Sequence, residues 1–501
     1  MFSKKITLFF FLLLVFAGAN AQQASEKFCG YTGNSAWLDW YQRNTGIFQT
    51  ENGADTSWLY VPVTVHIVGT NTGSGYFNFD QAIRAICEMN DQYAPAYIRF
   101  YLMPGDEVRY HDNSDWYNHD WDGGEQMINS VLPGIRNRLN AFIVSDPAGN
   151  CGYSWKDAIV LKKGCSNSGN STWAHEAGHH FSLPHPFRGW EDFDWDYDEP
   201  APLKVNNRDV EKTDGSNCYI GGDRFCDTDP DYLSDRWSCN NQFKSTIVQH
   251  DPDSVAFRSD ATLYMGYASD HCASRFTEEQ IAAMRANLRD EHKQYLQISA
   301  PIEEIDDQAQ VELISPIDTN ETVQYNHIEL TWNPVPNAKF YTVEVSLVKS
   351  FTVKFYNETL ENATSVVITS GIPNNRNLYW RVRAYNSWDV CQPYDNAQIG
   401  TFRTQNLSAT NELERAAIIQ LAPNPVMAGL PATLNIESVE AMDLSVSLSD
   451  AAGRICYQQK HRLYTGQNNL EIPTANLGPG LYTVLMQNAK GTSIKRLAIV
   501  E

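Results

Sequence analysis

Residues 172–185 constrain the fold of this 501-residue chain more than any other segment, because they read Thr-Trp-Ala-His-Glu-Ala-Gly-His-His-Phe-Ser-Leu-Pro-His. His175 and His179 are four residues apart, which on an α-helix places both imidazoles on one face, where they can bind one Zn²⁺. Glu176 then lies beside the metal-bound water. His185 adds a third imidazole, so the sequence predicts a helix, a sharp turn and a histidine that returns to the helix face.

Three neutral imidazoles leave a fourth coordination position for water, which is typical of a catalytic zinc rather than a structural one. Zinc lowers the pKa of that water to about 7 and polarises a carbonyl, while a carboxylate serves as general base and proton shuttle. Glu176 is the predicted base. His180 lies about 100° around the helix from His179 and is expected to point elsewhere.

The spacing of His175, Glu176, His179 and His185 resembles the extended zinc signature of the metzincins, a class of zinc-dependent endopeptidases. The resemblance departs from the signature at Ser182, which stands where the signature has the glycine that lets the chain leave the helix. A serine in the left-handed conformation costs about 1 kcal/mol, which the neighbouring turn can tolerate.

Two further segments resemble the pappalysin (cytophagalysin-like) family of metzincins. Leu263-Tyr-Met-Gly-Tyr267 resembles the methionine turn, and Gly222-Asp-Arg-Phe-Cys-Asp-Thr-Asp-Pro230 resembles that family's Gly-Asp-x-x-x-Asp-Thr-Pro segment with Asp229 inserted. The resemblance implies that Met265 packs beneath the zinc and that Tyr267 donates a hydrogen bond to the tetrahedral oxyanion. Ordinary core packing is the alternative for both side chains.

Cys29-Gly30 resembles the Cys-Gly near the start of pappalysin precursors, and the family resemblance as a whole runs over roughly residues 28–292. It implies that a thiolate at Cys29 occupies the fourth zinc position and keeps the enzyme latent until the N-terminal segment is removed. A disulfide or a buried thiol is the alternative for this residue.

Two acid-rich segments are candidates for calcium, which prefers hard oxygen ligands. Residues 190–199 contain six acidic residues among aromatics and would hold Ca²⁺, attract basic substrate side chains or form a solvated surface. Asp223, Asp227 and Asp229, with the Thr228 carbonyl, are the second candidate, motivated partly by calcium in pappalysin relatives.

The N-terminus predicts export. Residues 1–21 contain no acidic group, place Lys4 and Lys5 before an apolar run, and end in Ala19-Asn-Ala21, as in a cleaved secretory signal peptide. The apolar run is too short for the alternative, a membrane anchor, and no later stretch is long enough to span a membrane. The mature chain is therefore expected to start near Gln22 without a transmembrane span.

Composition narrows the choice of partners. With 38 Lys and Arg against 60 Asp and Glu the net charge is −22, which makes nucleic acid an unsuitable partner. Ten cysteines in an exported chain predict disulfides. We expect Cys151 to pair with Cys165, and further pairs among the following four cysteines: Cys218, Cys226, Cys239 and Cys272.

The C-terminal half has the short alternating runs of all-β domains. Leu330–Val345 and Tyr379–Asn386 resemble a fibronectin type III domain. Pro423-Asn-Pro425 and Leu477–Val484 resemble the C-terminal sorting domain of the type IX secretion system, which implies that the type IX machinery exports the chain to the outer cell surface or the medium. An ordinary small β-sandwich is the alternative.

The predicted fold class is therefore an α/β (α+β) metzincin-type catalytic domain followed by two all-β, sandwich-like domains. The predicted divisions are a signal peptide at 1–21, a pro-segment at 22–55, the catalytic domain at 56–302, the fibronectin-like domain at 303–408 and the sorting domain at 418–501.

The predicted function is that of a secreted zinc metalloendopeptidase acting on protein or peptide substrates. Two rivals stay open: a non-catalytic adhesin or binding module on the same scaffold, and a zinc hydrolase of non-peptide amides. An adhesin would not require Glu176 beside three histidines, whereas the second rival shares the motif.

Overall fold

The computed structural model describes residues 27–30, 35–45, 56–306, 311–393, 397–405, 417–451, 453–488 and 491–500. The predicted signal peptide and the expected start of the mature chain at Gln22 lie outside these residues. The chain divides into two compact units, Met1–Ile302 and Glu303–Glu501. Within the described ranges, no helix is long and apolar enough to cross a membrane.

The first unit is mixed α/β. Its helices are α1 (Ala36–Arg43), α2 (Phe79–Tyr93), α3 (Ser114–Tyr117), α4 (Trp121–Val131), α5 (Thr172–His180) and α6 (Glu278–Asp290). Its strands are β1 (Lys27–Cys29), β2 (Leu59–Gly69), β3 (Ile98–Leu102), β4 (Val108–Asp112), β5 (Asn118–His119), β6 (Leu139–Val144), β7 (Asp146–Pro147), β8 (Asn150–Trp155), β9 (Ala158–Lys162), β10 (Lys204–Val205), β11 (Arg208–Asp209), β12 (Gln249–His250) and β13 (Ala256–Phe257).

A seven-stranded sheet organises this unit, with the order β1-β8-β9-β6-β2-β3 and with β4 also paired to β2. Its pairings are parallel except that between β8 and β9, which is antiparallel. Helix α5 contacts β8 and β9, and α2 contacts β3 and α5. The strand at one end of the sheet, β1, therefore belongs to the segment predicted as a pro-segment, and it lies beside the strand that α5 packs against.

Alternating residues predict strands near 61–67, 98–102, 141–144 and 158–161, and helical spacing predicts a helix over 81–93, a helix from near Ser171 and a long last helix with a capping box at Thr277 and Gln280. The structure contains all of these elements within a few residues, with one correction. The alternation of Val61, Val63, Val65 and Ile67 predicts a strand buried on one face, but β2 is buried along almost its whole length. The reason is its central place in a largely parallel sheet, where both faces are covered. Thr277 and Gln280 form the predicted capping box at the start of α6.

The cysteine predictions are also confirmed in this unit. Cys151 pairs with Cys165, as expected. The four cysteines left open by the sequence form two disulfides, Cys218–Cys226 and Cys239–Cys272.

In the second unit, the regular secondary structure of the described residues is all β-strand. The strands are β14 (Leu313–Ser315), β15 (Thr322–Gln324), β16 (Ile328–Trp332), β17 (Phe340–Ser346), β18 (Lys354–Glu361), β19 (Ser365–Ile368), β20 (Asn377–Tyr385), β21 (Gly400–Gln405), β22 (Ala417–Ala422), β23 (Val426–Met427), β24 (Ala432–Ser438), β25 (Met442–Ser449), β26 (Ile455–Leu463), β27 (Gly466–Ile472), β28 (Gly480–Asn488) and β29 (Gly491–Val500).

These strands form two pairs of sheets, each pair with its own core. Sheets β14-β16-β19 and β15-β21-β20-β17-β18 share a core that includes Leu330, Val343 and Trp380. Sheets β22-β24-β27 and β23-β29-β28-β25-β26 share a second core that includes Leu434 and Val446. The short alternating runs of the sequence thus correspond to strands that bury one face against the opposite sheet.

Candidate metal centre

Helix α5 carries three of the predicted site residues. His175, Glu176 and His179 are all buried, at 0%, 0% and 4% exposure. Tyr93, in α2, donates a hydrogen bond from its hydroxyl to the Ala174 carbonyl over 3.0 Å and ties the helix to the core. The i, i+4 spacing therefore turns both imidazoles in the same direction, as the sequence predicts.

The chain leaves α5 through a left-handed residue. Ser182 has φ = 74°, and its hydroxyl accepts a hydrogen bond from Asn287 Nδ2 over 3.0 Å. The backbone N–H of Leu183 donates to the Gly178 carbonyl over 3.0 Å, which closes the helix end. Serine thus takes the conformation expected where the zinc signature has glycine, and the turn brings His185 back to the helix.

The structure brings the three histidines together. The distances between Nε2 atoms are 3.0 Å from His179 to His175, 3.0 Å from His179 to His185 and 3.3 Å from His185 to His175. Cys29 offers its sulfur to the same group, with all four ligand atoms within 4.8 Å of one another. We call the three histidines the histidine cluster.

The Nδ1 atoms of the histidine cluster point outward to fixed partners. His175 Nδ1 lies 2.8 Å from the Tyr264 carbonyl, and His179 Nδ1 lies 2.7 Å from the Leu183 carbonyl. Burial, reinforced by the neighbouring imidazoles, lowers the pKa of His175 and His179 well below the ordinary value. Both imidazoles are consequently neutral, with Nδ1 protonated and the Nε2 lone pairs facing inward.

Met265 packs on α5, and the Tyr267 ring lies against His185. A Cβ on Gly178 would come within 2.4 Å of Met265 Sδ, so the methionine packs directly on α5 where the helix lacks a side chain. The Tyr267 ring lies 4.9 Å from that of His185 and 4.5 Å from that of Phe187. Burial raises the pKa of Tyr267 well above the ordinary value, so its hydroxyl stays a hydrogen-bond donor.

Glu176 is fully buried, and its Oε1 has no hydrogen-bond partner among the residues that the structure describes. Burial raises its pKa well above the ordinary value, while a hydrogen bond from Cys29 Sγ, 3.6 Å from Oε2, acts in the opposite direction. A Cβ on Gly152 would lie 2.8 Å from the carboxylate, so β8 passes directly over it. A buried carboxylate with an unsatisfied oxygen beside three histidines is a candidate proton acceptor.

Strand β1 brings Cys29 to this carboxylate. It pairs in parallel with β8, with Lys27 opposite Asn150 and Cys29 opposite Gly152, and the Gly30 N–H donates to the Gly152 carbonyl over 3.0 Å. The Tyr267 hydroxyl donates to the Cys29 carbonyl over 3.2 Å. Cys29 remains a thiol, so the alternative of a disulfide at this residue does not hold.

Gly30 is required by the same arrangement. A Cβ at this position would lie 2.1 Å from Cη2 of Trp121, the first residue of α4. The Trp121 ring in turn packs at 5.0 Å from that of Tyr153 in β8. The Cys-Gly pair is thus explained by two separate contacts: the thiol faces the cluster, and the glycine passes beneath an indole.

Helix α1 holds the same N-terminal segment from a second place. Trp37 Nε1 donates to Asp290 Oδ2 over 2.8 Å, at the end of α6. Gln42 Nε2 donates to the Arg224 carbonyl over 3.0 Å, and Arg224 also forms an ion pair with Asp39. Residues 27–30 are therefore anchored on β8, and residues 35–45 are anchored on the end of α6 and on Arg224.

His180 points away from the cluster, as predicted. Its Nε2 lies 3.1 Å from the Tyr295 hydroxyl, and its ring stacks on that of His292 at 4.4 Å. It therefore belongs to the core behind α5 rather than to the metal centre.

The acid-rich segment 190–199 separates into one inward carboxylate and several exposed ones. Glu191 Oε1 lies 3.3 Å from His185 Nδ1, and its Oε2 accepts from the Gly189 N–H over 2.6 Å. The other five acidic residues of the segment are exposed: Asp192, Asp194, Asp196, Asp198 and Glu199. Nothing in the sequence distinguishes Glu191 from these five neighbours, so its contact with His185 was missed.

The aspartates 223, 227 and 229 differ in their surroundings. Asp223 is fully buried, and its Oδ1 accepts from the Thr228 hydroxyl over 2.9 Å, while its Oδ2 has no hydrogen-bond partner within the described ranges of the chain. Asp227 Oδ2 accepts from the Glu279 N–H at the start of α6, and Asp229 forms an ion pair with Lys244.

A second buried acid accompanies Asp223 and was not predicted from the sequence. It is Glu211, which is 3% exposed. A Cβ on Gly222 would lie 2.3 Å from its Oε2, so the loop before Asp223 wraps this carboxylate. Burial raises the pKa of Glu211 and of Asp223, and the repulsion from Asp223 raises that of Glu211 further. We call Glu211 and Asp223 the acidic pair.

Comparison with known proteins places two parts of the chain. Residues 420–500 match the family described as "Secretion system C-terminal sorting domain". An extracellular metalloprotease of Pyricularia oryzae is 27% identical over 253 residues, which are 46% of this chain and 75% of that protein. The chain is thus secreted or held at the cell surface, and it is homologous over those 253 residues to an extracellular metalloprotease.

Two solved structures are similar only over parts. Dimeric latent PorU from Porphyromonas gingivalis is 13% identical with a TM-score of 0.16, over 40% of this chain and 21% of that one. The BSP domain of a biofilm-associated protein is 12% identical with a TM-score of 0.15, over 38% of this chain and 29% of that one. The chain spans less than a third of either protein, and similarities this weak carry no argument.

Proposed function

We propose that the protein is a secreted zinc-dependent metalloendopeptidase of the metzincin type, similar to the pappalysins, which hydrolyses internal peptide bonds. The observation that carries the proposal is the convergence of three Nε2 atoms beside Glu176, whose Oε1 has no hydrogen-bond partner in the described part of the chain. The homology to an extracellular metalloprotease supports the same conclusion.

The histidine cluster fits zinc in its donor chemistry and in its spacing. Imidazole nitrogens bind Zn²⁺ at about 2.0–2.1 Å, and two such ligands at a tetrahedral angle are separated by about 3.4 Å. The observed Nε2 separations of 3.0 to 3.3 Å are close to that value. His175, His179 and His185 would therefore hold the ion.

Zinc bound there would lower the pKa of a water molecule and polarise the substrate carbonyl. Glu176 would accept a proton from the attacking water and pass it to the leaving amine, which a carboxylate of raised pKa does well near neutral pH. Tyr267, whose hydroxyl now donates to the Cys29 carbonyl, would donate to the carbonyl oxygen that acquires negative charge. Met265 would support the cluster from below.

Strand β8 would bind the substrate main chain. In the described part of the chain β1 is the edge strand next to β8. Its removal would expose the backbone N–H and C=O groups of β8, which lie directly over Glu176. An extended peptide can pair with such an edge, which positions its carbonyl at the cluster with little dependence on its side chains.

We propose further that residues 22–55 are a pro-segment and that Cys29 keeps the enzyme latent. Its thiol lies among the candidate ligands, and β1 occupies the edge that a substrate would need. Cleavage between the pro-segment and β2 would release both contacts at once.

We propose a structural calcium ion at the acidic pair rather than at the three aspartates that the sequence suggests, Asp223, Asp227 and Asp229. Glu211 and Asp223 supply buried carboxylate oxygens, and no described residue is a hydrogen-bond partner of Asp223 Oδ2. Ca²⁺ prefers such hard ligands. Asp227 and Asp229, in the same segment, would add to the negative potential while keeping their contacts with α6 and Lys244.

For the remainder of the chain we propose a fibronectin type III-like domain at residues 303–408 and export by the type IX secretion machinery through residues 418–501. The match to secretion-system sorting domains over residues 420–500 supports the second assignment.

The test uses the mature chain, activated by limited proteolysis, with unfolded casein as substrate and with zinc measured on every sample. The parent should contain one zinc, cleave casein and lose activity with a zinc chelator, while Glu176→Ala should keep zinc and not cleave. Zinc without cleavage of any protein would favour a hydrolase of non-peptide amides. A folded chain without zinc would refute the proposal.

A further inference from the structure

We propose that Glu191 is a positioning residue, which orients His185 as a metal ligand and strengthens metal binding. The inference rests on the proposed function, since it assigns a role to a side chain behind the histidine cluster. It also assigns one carboxylate of the acid-rich segment 190–199 to the site and leaves the other five to the surface.

The contact differs from those of the other two histidines. His175 and His179 place Nδ1 against backbone carbonyls, whereas His185 Nδ1 faces the Glu191 carboxylate at 3.3 Å. A carboxylate accepts a hydrogen bond more strongly than a carbonyl does, because it carries a full charge. His185 is therefore the ligand whose donor strength depends on a side chain that mutation can change.

Glu191 is held in place from both sides. Its Oε2 accepts from the Gly189 N–H over 2.6 Å, and its carbonyl accepts from Asn206 Nδ2 over 3.4 Å. The preceding Trp190 is 2% exposed and stacks on Tyr232 with ring centroids 4.5 Å apart. The carboxylate is thus presented to His185 by a loop that the core fixes.

The His185 imidazole needs such a partner, because contacts with the faces of its ring do not determine which of its two nitrogens points toward the cluster. The His185 ring stacks on Phe187 at 4.5 Å and meets Tyr267 edge to face at 4.9 Å. These contacts fix the plane of the ring, whereas the Glu191 hydrogen bond fixes the tautomer with Nδ1 protonated. Carboxylate partners of this kind raise the donor strength of a ligating imidazole, and losing one typically lowers metal affinity 10- to 100-fold.

The experiment measures zinc affinity on the mature full chain by competition with a chromophoric chelator, and compares Glu191→Gln with Asp194→Asn. Glutamine keeps the length of the side chain but has one acceptor oxygen in place of two, so it removes the charge and can accept from either the Gly189 N–H or His185 Nδ1, not from both. Asp194→Asn removes the same charge from an exposed position of the same segment. We expect Glu191→Gln to lower the zinc association constant 10- to 100-fold and Asp194→Asn to change it less than twofold.

A second readout separates positioning from loop stability. The thermal midpoint of the metal-free protein should differ little between Glu191→Gln and the parent, since glutamine keeps one of the two side-chain hydrogen bonds and the contacts of Asn206 and Trp190 that hold the loop do not involve the carboxylate. Equal zinc affinity for Glu191→Gln and parent would overturn the inference alone, as would a weakened affinity accompanied by an equal loss of metal-free stability. Failure of the parent to bind zinc would overturn the proposed function first and this inference with it.

Discussion

The histidine cluster and the acidic pair are two buried groups of like side chains in the same unit, and they meet the cost of burial differently. His175 and His179 are neutral, with each Nδ1 hydrogen-bonded, so burial leaves little electrostatic strain without a metal. Glu211 and Asp223 repel each other when ionised, and burial disfavours their charged forms. A cation is therefore expected to change mainly activity at the first site and mainly stability at the second.

The largest effect should come from the carboxylate beside the histidine cluster. Glu176→Gln in the activated protein should lower kcat by about 10²- to 10⁴-fold, the contribution typical of a general acid–base residue. Zinc content should stay at one equivalent, because Glu176 is not among the candidate ligands. Casein hydrolysis and metal analysis check this, with exposed Glu199→Gln as the matched control; equal activity of Glu176→Gln and parent would contradict the mechanism.

The next largest effect concerns the strand that covers the histidine cluster. Gly30→Ala should weaken docking of β1 by about 1–3 kcal/mol, the usual cost of an inserted methyl group in a packed site. The clash is with Trp121, whose ring is 2.1 Å from the added Cβ. Casein hydrolysis by the uncut chain should therefore rise by a factor of about 5 to 150.

A double variant tests the cause of that rise. Trp121→Ala removes the ring that the new methyl group would meet, so Gly30→Ala in this background should add little further activity. If Gly30→Ala activates equally in both backgrounds, the contact with Trp121 is not what keeps β1 in place.

The acidic pair should respond to calcium through stability. In both carboxyls the folded-state pKa is raised, so without a cation the stability that they contribute is present at low pH and is lost as pH rises from about 4 through the folded-state pKa. Calcium should reverse this loss, and its effect on the thermal midpoint should grow from pH 5 to pH 8. At a calcium concentration of 100 times Kd the gain is about 2.7 kcal/mol, or several degrees.

Glu211→Gln is the variant that sharpens this prediction. It removes one charge of the pair, so the metal-free protein should become more stable at pH 8 while the calcium-induced shift becomes smaller. Asp214→Asn, at an exposed site nearby, should change neither quantity. A calcium shift that is the same in Glu211→Gln and parent would place calcium elsewhere in the chain.

The two sites also differ in how far the sequence predicts them. The histidine cluster can be predicted because its three residues and Glu176 lie within eleven residues, where one helix and one tight turn decide which side chains meet. Asp223 was found through a segment resemblance, whereas Glu211, twelve residues earlier, joins it only through the fold of the intervening loop. Local spacing therefore predicts contacts within one helix and its turn, but it does not predict contacts that depend on the fold of a longer loop.

The same dependence on local spacing explains which other features of the fold could be predicted from the sequence. Alternation located β2 but not its burial on both faces, because burial depends on which strands pair beside it. The capping box of α6 could be read directly, since both of its residues are local. Glu191 could not be separated from five acidic neighbours, because only the tertiary contact with His185 distinguishes it.

The smallest effect should come from the turn between α5 and His185, where two opposing terms nearly cancel. Ser182→Gly relieves a left-handed conformation worth about 1 kcal/mol. It also removes the hydrogen bond from Asn287 Nδ2 to the Ser182 hydroxyl, worth about 1 kcal/mol. The free energy of unfolding should therefore change by less than about 1 kcal/mol. Ser182→Ala also loses the hydrogen bond but keeps the backbone strain, so it should be less stable than Ser182→Gly. Urea unfolding of both variants measures the difference, and the reverse order would show that the left-handed conformation does not strain this turn.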